Sequence, residues 1–133
     1  INNMISEFIL NHSDNSIAFT SMGHINYLST LKYVDGVVGN SSSGLLEAPT
    51  FKIGTVNIGD RQKGRIKAKS IIDCSPNRQS IKAAIEKLYT TDFRKKLKFV
   101  KNPYGEGQAT DKIIKVLKTL KVPKELKKIF KDL

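Results

Sequence analysis

The most chemically suggestive segment is a run of small polar residues at positions 40–44, Asn-Ser-Ser-Ser-Gly, which leads into an apolar stretch. We call it the serine loop. Small residues leave backbone N–H groups accessible, and the start of a helix adds partial positive charge. The hydroxyls of Ser41 and Ser42 supply further donors. The segment predicts a binding site for a phosphate or diphosphate, although a serine-rich helix cap has the same composition.

Two further groups of polar side chains suit the same ligand. Glu47 follows the serines by one helical turn, where a carboxylate either offsets the helix dipole or accepts hydrogen bonds from ribose hydroxyls. Arg61 and Arg65 lie in a segment at residues 60–65, Asp-Arg-Gln-Lys-Gly-Arg, which we call the basic loop. Their planar guanidinium groups either bind a phosphate or face solvent.

Short apolar runs separated by helical patterns determine where these loops lie. Strands are predicted at residues 17–20, 36–39, 53–58 and 70–73. Apolar residues at helical spacing predict helices at 1–11, 25–31, 45–48, 75–88, from 91 onwards, at 109–120 and after Pro123. Ser75 and Pro76 suit a helix start, because a capping hydroxyl precedes a residue that lacks an N–H.

Strands that alternate with helices indicate an α/β fold, a Rossmann-like parallel sheet with helices on both faces. In such sheets a ligand binds at the carboxyl ends of the strands. The loops that follow Thr20, Gly39 and Ile58 would therefore meet at one edge. Their convergence favours a site for a nucleotide phosphate over three unrelated polar turns.

The net charge of +11 raises the alternative of a module that binds nucleic acid or another anionic surface. Thirteen of the 23 lysines and arginines lie from Arg94 onwards, where they alternate with apolar residues at helical spacing. This pattern is typical of the solvated face of an amphipathic helix. No helix-turn-helix or RNA-binding signature appears, so nucleic-acid binding is the weaker hypothesis.

The 133 residues suffice for one domain with a modest core. The single cysteine, Cys74, excludes an internal disulfide, and no apolar run has the length that crosses a membrane. We therefore expect a cytoplasmic protein. Because a helical pattern is already under way at Ile1, we expect this chain to be part of a longer protein.

Three segments, in this order, resemble one known family: GNSSSGLLEAP at 39–49, VNIGDRQKGR at 56–65 and NPYGEG at 102–107. They resemble the C-terminal, nucleotide-binding domain of UDP-N-acetylglucosamine 2-epimerases, especially the hydrolysing branch that serves sialic-acid and capsular-polysaccharide synthesis. The resemblance covers the chain after Asn15. It implies one half of a glycosyltransferase-B-type fold of two Rossmann-like domains. Non-hydrolysing relatives carry an acidic residue and two glycines where this chain has Asn40, Ser42 and Ser43, which favours the hydrolysing branch.

The resemblance implies a role for each polar group near the phosphates. Ser41 and Ser42 would bind the diphosphate. Glu47 would bind the ribose, and Arg61 would reach towards the phosphates.

The uracil and the reaction chemistry are expected elsewhere. By the same resemblance, Ser21 and Met22 would face the uracil, largely through backbone atoms, with Tyr27 nearby. The acid–base residues of the family lie outside residues 1–133, so we assign no catalytic residue to this chain. His12 and His24 are expected to be ordinary surface histidines.

The implied reaction is loss of UDP with removal of the proton at C2, followed by addition of water to the glycal. Its products are UDP and N-acetylmannosamine or a related 2-epimerised sugar. The expected substrate is a UDP-sugar, without cofactor or metal, and the expected enzyme is a homo-oligomer that includes an N-terminal domain. This chain alone is expected to bind UDP and to be inactive. Among enzymes, the alternative is a glycosyltransferase of the same two-domain type.

Overall fold

The structure, a computed structural model, describes residues 1–105 and 107–121. Its elements in chain order are α1 (Asn2–Asn11), α2 (His24–Thr30), β1 (Gly36–Gly39), α3 (Ser43–Leu46), a 3₁₀ helix (Ala48–Phe51), β2 (Gly54–Ile58), β3 (Ile71–Cys74), α4 (Arg78–Leu88), α5 (Thr91–Leu97) and α6 (Ala109–Thr119). The helix predicted after Pro123 lies outside the described residues.

The three strands form one parallel sheet in the order β1-β2-β3. Gly36 of β1 lies opposite Gly54 of β2, and Thr55 of β2 lies opposite Ile71 of β3. Parallel strands joined through helices are the arrangement that the sequence predicts, so the Rossmann-like α/β fold is confirmed.

Helices cover both faces of the central strand β2. Thr55 faces α3, since its Oγ1 donates a hydrogen bond of 2.9 Å to the Gly44 carbonyl oxygen. Val56, its neighbour in the strand, points to the opposite face because side chains alternate along a strand. There it joins a core supplied largely by α4 and α5, whose buried members are Val56, Ala68, Ile72, Ala84, Leu88, Phe93, Leu97 and Val100.

The two helices of this core begin at side-chain caps. Asn77 Oδ1 accepts a hydrogen bond of 2.9 Å from Ser80 N at the start of α4. Thr90 Oγ1 accepts one of 3.3 Å from Phe93 N at the start of α5. The predicted cap at Ser75 is therefore wrong: the helix starts after Asn77, whose side chain reaches the backbone N–H three residues on.

The predicted strand at residues 17–20 is also wrong. Within the described chain this segment forms no backbone hydrogen bonds to a neighbouring strand. Ile17 and Phe19 are 73% and 56% exposed, so neither side chain packs into a core. An apolar run becomes a strand only where another strand satisfies its backbone, and the sheet as described ends at β1.

Several apolar side chains of α1 and α6 are also exposed, among them Phe8 and Leu117. Both helices are amphipathic, as the sequence predicts, yet neither packs an apolar face against the sheet. Within the part of the chain that the structure describes, no helix combines the length and apolar character needed to cross a bilayer.

Two glycines that face each other across β1 and β2 test this packing. A Cβ at Gly36 would lie 2.7 Å from Leu88 Cδ1 and 2.9 Å from the Gly54 carbonyl oxygen, whereas a Cβ at Gly54 would meet only side chains, the nearest being Phe93 at 2.9 Å. Side chains can move aside more easily than a paired backbone. We expect Gly36→Ala to destabilise the fold by about 1–3 kcal/mol and by more than Gly54→Ala. Urea unfolding measures both, and a larger effect at Gly54 would contradict this packing.

Candidate functional site

The serine loop is positioned by a close contact between α3 and β2. A Cβ at Gly44 would lie only 2.6 Å from Thr55 Cγ2, so a larger residue at position 44 would push α3 off the sheet. Thr55, Gly44 and the hydrogen bond between them are buried. The loop therefore projects from the carboxyl end of β1 at a fixed height above the sheet.

Within the serine loop, the backbone turns inward after Ser42. Ser43 N donates to Ser41 Oγ and Gly44 N donates to the Ser41 carbonyl oxygen, both at 3.3 Å. Ser41 N and Ser42 N donate no hydrogen bond to any described residue. Two successive N–H groups without partners among the described residues are donors available to an anion at the start of α3.

The helix that follows is shorter than a phosphate site based on a helix dipole requires. α3 has only four residues, and the Ser42 side chain makes no capping hydrogen bond. A macrodipole needs several aligned turns. Any affinity of this loop for an anion therefore comes from its local N–H groups and hydroxyls.

Glu47 belongs to a chain of side-chain hydrogen bonds that links α2 to α3. Tyr27 OH lies 2.6 Å from Ser43 Oγ, and Ser43 Oγ in turn donates to Glu47 Oε2. The other carboxylate oxygen, Oε1, lies 3.9 Å from His24 Nε2. Glu47 is half-buried, so its carboxylate is fixed in place while Oε1 keeps free acceptor sites. The prediction that His24 is a surface residue is confirmed, since its side chain is 75% exposed, and its ring lies beside this carboxylate.

The loop that precedes α2 lines a shallow cavity of about 430 Å³ that is open to solvent. Tyr27 is one of the residues that line it, and the Tyr27 hydroxyl connects it through Ser43 to the serine loop. The structure thus brings the three residues expected near the uracil next to those expected near the ribose. The cavity is lined by Phe19, Thr20, Ser21, Met22, Gly23, His24 and Tyr27.

The basic loop reaches the serine loop through two neighbouring side chains. Arg61 Nη1 lies 3.4 Å from both the carbonyl oxygen and the Oδ1 of Asn40. Gln62 Nε2 donates a shorter hydrogen bond, of 2.7 Å, to the same carbonyl oxygen. Arg65, by contrast, makes no side-chain hydrogen bond or ion pair with the described residues. Of the two arginines, only Arg61 has a side-chain hydrogen bond to the serine loop in the described structure.

The motif at residues 102–105 makes hydrogen bonds to residues that adjoin the serine loop and the basic loop in sequence. Asn102 Nδ2 donates to the Leu46 carbonyl oxygen at 2.7 Å and to Thr50 Oγ1 at 2.8 Å, which fixes the end of α3. Tyr104 OH donates to the Ile66 carbonyl oxygen at 3.0 Å, just after the basic loop. The motif therefore connects the end of α3 to the segment that follows the basic loop.

An ion pair near the carboxyl ends of β2 and β3 joins Lys67, just after the basic loop, to Asp73 of β3. Lys67 Nζ lies 2.8 and 2.9 Å from the two carboxylate oxygens of Asp73, and Asn57 Nδ2 donates to Asp73 Oδ1 at 2.7 Å. Burial opposes the ionisation of Asp73, but these hydrogen bonds and the charge of Lys67 outweigh it, so the pKa of Asp73 lies below its ordinary value. Burial and the Asp73 charge raise the pKa of the Cys74 thiol.

The lowered pKa of Asp73 gives stability a defined pH dependence. Because the folded state favours the carboxylate, Asp73 stabilises the fold above its ordinary pKa of 3.8, and this contribution is lost as the pH falls through the lower folded-state pKa. We expect the free energy of unfolding of the unaltered protein to exceed that of Asp73→Asn most above about pH 5. The difference should shrink below pH 3.8.

Urea unfolding at a series of pH values measures this difference. Lys67→Met is the matched control. In a protein without this lysine, the free energy of unfolding that Asp73→Asn removes should lose most of its dependence on pH. A difference that stays constant across the range would show that the pair contributes no charge-dependent stability.

Comparison with known proteins gives a consistent result. A family model described as UDP-N-acetylglucosamine 2-epimerase matches residues 1–118. A GDP/UDP-N,N'-diacetylbacillosamine 2-epimerase (hydrolyzing) from Campylobacter jejuni is 41% identical over 134 residues, covering 100% of this chain and 34% of the relative. A UDP-N,N'-diacetylbacillosamine 2-epimerase (hydrolyzing) from Legionella pneumophila is 30% identical over 120 residues, covering 90% and 30%.

A third relative, the polysialic acid biosynthesis protein P7 from Escherichia coli, is 39% identical over 93 residues, covering 70% of this chain and 24% of the relative. The chain thus spans about a third or less of the length of these curated relatives.

Proposed function

Because this chain belongs to the UDP-N-acetylglucosamine 2-epimerase family, we propose that it is the UDP-binding part of a hydrolysing nucleotide-sugar 2-epimerase. The observation that carries the proposal is the pair of N–H groups at Ser41 and Ser42, which have no hydrogen-bond partner among the described residues, with the Arg61 guanidinium at the adjacent Asn40. A diphosphate needs this combination of close donors and positive charge. Neither the glycosyltransferase nor the nucleic-acid alternative gains support from a comparable observation.

In this proposal the three parts of UDP lie along the edge of the sheet. The uracil occupies the cavity beside Ser21, Met22 and Tyr27. The ribose hydroxyls donate to the Oε1 atom of Glu47, whose Oε2 is already occupied by Ser43. This assignment requires a carboxylate whose direction is fixed before the ligand arrives, and the Tyr27–Ser43–Glu47 chain provides it.

The diphosphate then lies against Ser41 and Ser42, with Arg61 reaching its oxygens. A guanidinium that contacts Asn40 only at 3.4 Å is weakly engaged and free to turn towards a phosphate.

The reaction belongs to the whole protein. The bond between sugar C1 and the UDP oxygen breaks with its electron pair leaving on UDP, and the C2 proton is removed. Water then adds to the resulting glycal, with the hydroxyl going to C1 and a proton returning to C2 on the opposite face. This chain binds the leaving group in the proposal, and the proton transfers require groups from a partner domain of the same protein.

The substrate is proposed to be a UDP-sugar with an acetamido group at C2. Two of the relatives are named for a diacetamido sugar, N,N'-diacetylbacillosamine. We also propose that the complete protein pairs this domain with a second Rossmann-like domain across a cleft, in a cytoplasmic homo-oligomer. In such a cleft the sugar is recognised mainly by residues of the second domain.

The first test measures UDP binding and turnover separately. We expect this 133-residue chain to bind UDP weakly in calorimetry, because only one wall of the cleft is present, and to release no UDP from UDP-N-acetylglucosamine. The complete protein should bind UDP more tightly and release both UDP and the 2-epimerised sugar. Turnover by the chain alone would overturn our placement of the catalytic groups. A duplex DNA titrated across salt is the control for non-specific anion binding.

The second test compares the two arginines of the basic loop in the complete protein. Arg61→Ala should weaken UDP binding by about 1.5–3 kcal/mol, the usual loss of a charge-assisted hydrogen bond. Arg65→Ala removes the same charge from the same loop at a position without contact to the serine loop, and should have a much smaller effect. Equal losses in calorimetry would mean that the loop acts only as a diffuse positive field.

A further inference from the structure

Gln62 is buried, although it belongs to the otherwise exposed basic loop. Its neighbours in residues 60–66 are all exposed, whereas Gln62 is only 3% exposed. Its Oε1 is buried and accepts no hydrogen bond from any described residue. Burying an amide oxygen without a donor is unfavourable, so the side chain needs a compensating role.

The one partner of Gln62 determines which way its amide points. The Asn40 carbonyl oxygen, 2.7 Å from Nε2, can only accept, so the NH₂ group must face it and Oε1 must face away. The contact joins residues 22 positions apart and ends on the residue directly before Ser41. Gln62 therefore acts on the backbone of the serine loop.

Fixing this carbonyl also fixes the direction of the next N–H. The Asn40–Ser41 peptide is trans, so its C=O and N–H point in opposite directions within one plane. Because the carbonyl points inward to buried Gln62, the N–H of Ser41 points outward. This N–H is one of the two that have no partner among the described residues.

We propose that Gln62 is a positioning residue, which fixes the Asn40–Ser41 peptide so that the Ser41 N–H faces the diphosphate. This inference rests on the proposed function. Arg61 contacts the same carbonyl only at 3.4 Å, and in the proposed function its guanidinium turns to the diphosphate. Gln62 then remains as the side chain that prevents the peptide from rotating when the anion binds.

The test replaces Gln62 by methionine, which has similar length and no amide. Gln79→Met is the matched control, because Gln79 is exposed on the first turn of α4, away from the serine loop. Calorimetry on the complete protein measures the Kd of UDP and of uridine, which lacks the phosphates. We expect UDP to bind about tenfold more weakly to Gln62→Met. Uridine binding should stay unchanged, and Gln79→Met should bind both ligands as the unaltered protein does.

Stability separates positioning from a general structural role. Methionine removes the buried Oε1, which has no partner among the described residues, and also the hydrogen bond to the Asn40 carbonyl oxygen. These two changes act on stability in opposite directions, so the midpoint of thermal unfolding should change little while UDP affinity falls. Unchanged UDP affinity in Gln62→Met would overturn the inference, and so would parallel losses for UDP and uridine. Either result leaves the proposed function standing.

Failure of the proposed function gives a different pattern. The unaltered protein would then bind UDP no better than uridine. In that case a crystal structure of Gln62→Met decides the inference without any ligand: a rotated Asn40–Ser41 peptide supports it, and an unchanged peptide plane overturns it.

Discussion

Thr55 of β2 contacts Gly44 of α3, which packs on one face of the sheet. The position of the candidate site depends on this contact. Thr55 lies in the central strand, so its position is fixed by pairing on both sides. Its hydroxyl donates to the Gly44 carbonyl oxygen, and its methyl group leaves no room for a Cβ there. α3 is thereby set directly on β2, with the serine loop at one end and Glu47 at the other. Asn102 then fixes the far end of α3 through the Leu46 carbonyl oxygen.

The sheet and most of the site could be predicted because their signals are local. β1, β2 and β3 are short apolar runs bounded by turn residues, and each appears within one or two residues of its predicted position. Once the strands are parallel, topology alone places the loops after β1 and β2 at one edge. The serine loop and Arg61 then become neighbours without any knowledge of side-chain packing. Their role in binding UDP is a further step, which stays a prediction.

The features that the sequence does not reveal depend on partners far along the chain. The segment at residues 17–20 has the composition of a strand but lacks a partner strand in the described structure. Gln62 stands between an arginine and a lysine, where polarity predicts exposure, and its burial arises from a contact 22 residues away. The contact of Asn102 with Leu46 spans 56 residues. Local composition carries no information on such long-range contacts. The sheet topology predicts only which loops lie at the same edge of the sheet.

Ser43 gives a physical reason why serine rather than glycine occupies this position. Its hydroxyl is the one link between Tyr27 and Glu47, so a glycine at position 43 would leave the carboxylate without its donor and the tyrosine without its acceptor. In this chain the same hydroxyl couples Tyr27 of α2 to Glu47 at the C-terminal end of α3. A ligand that contacts both the cavity and Glu47 therefore meets two surfaces whose spacing is already fixed. The protein then loses less conformational freedom when the ligand binds.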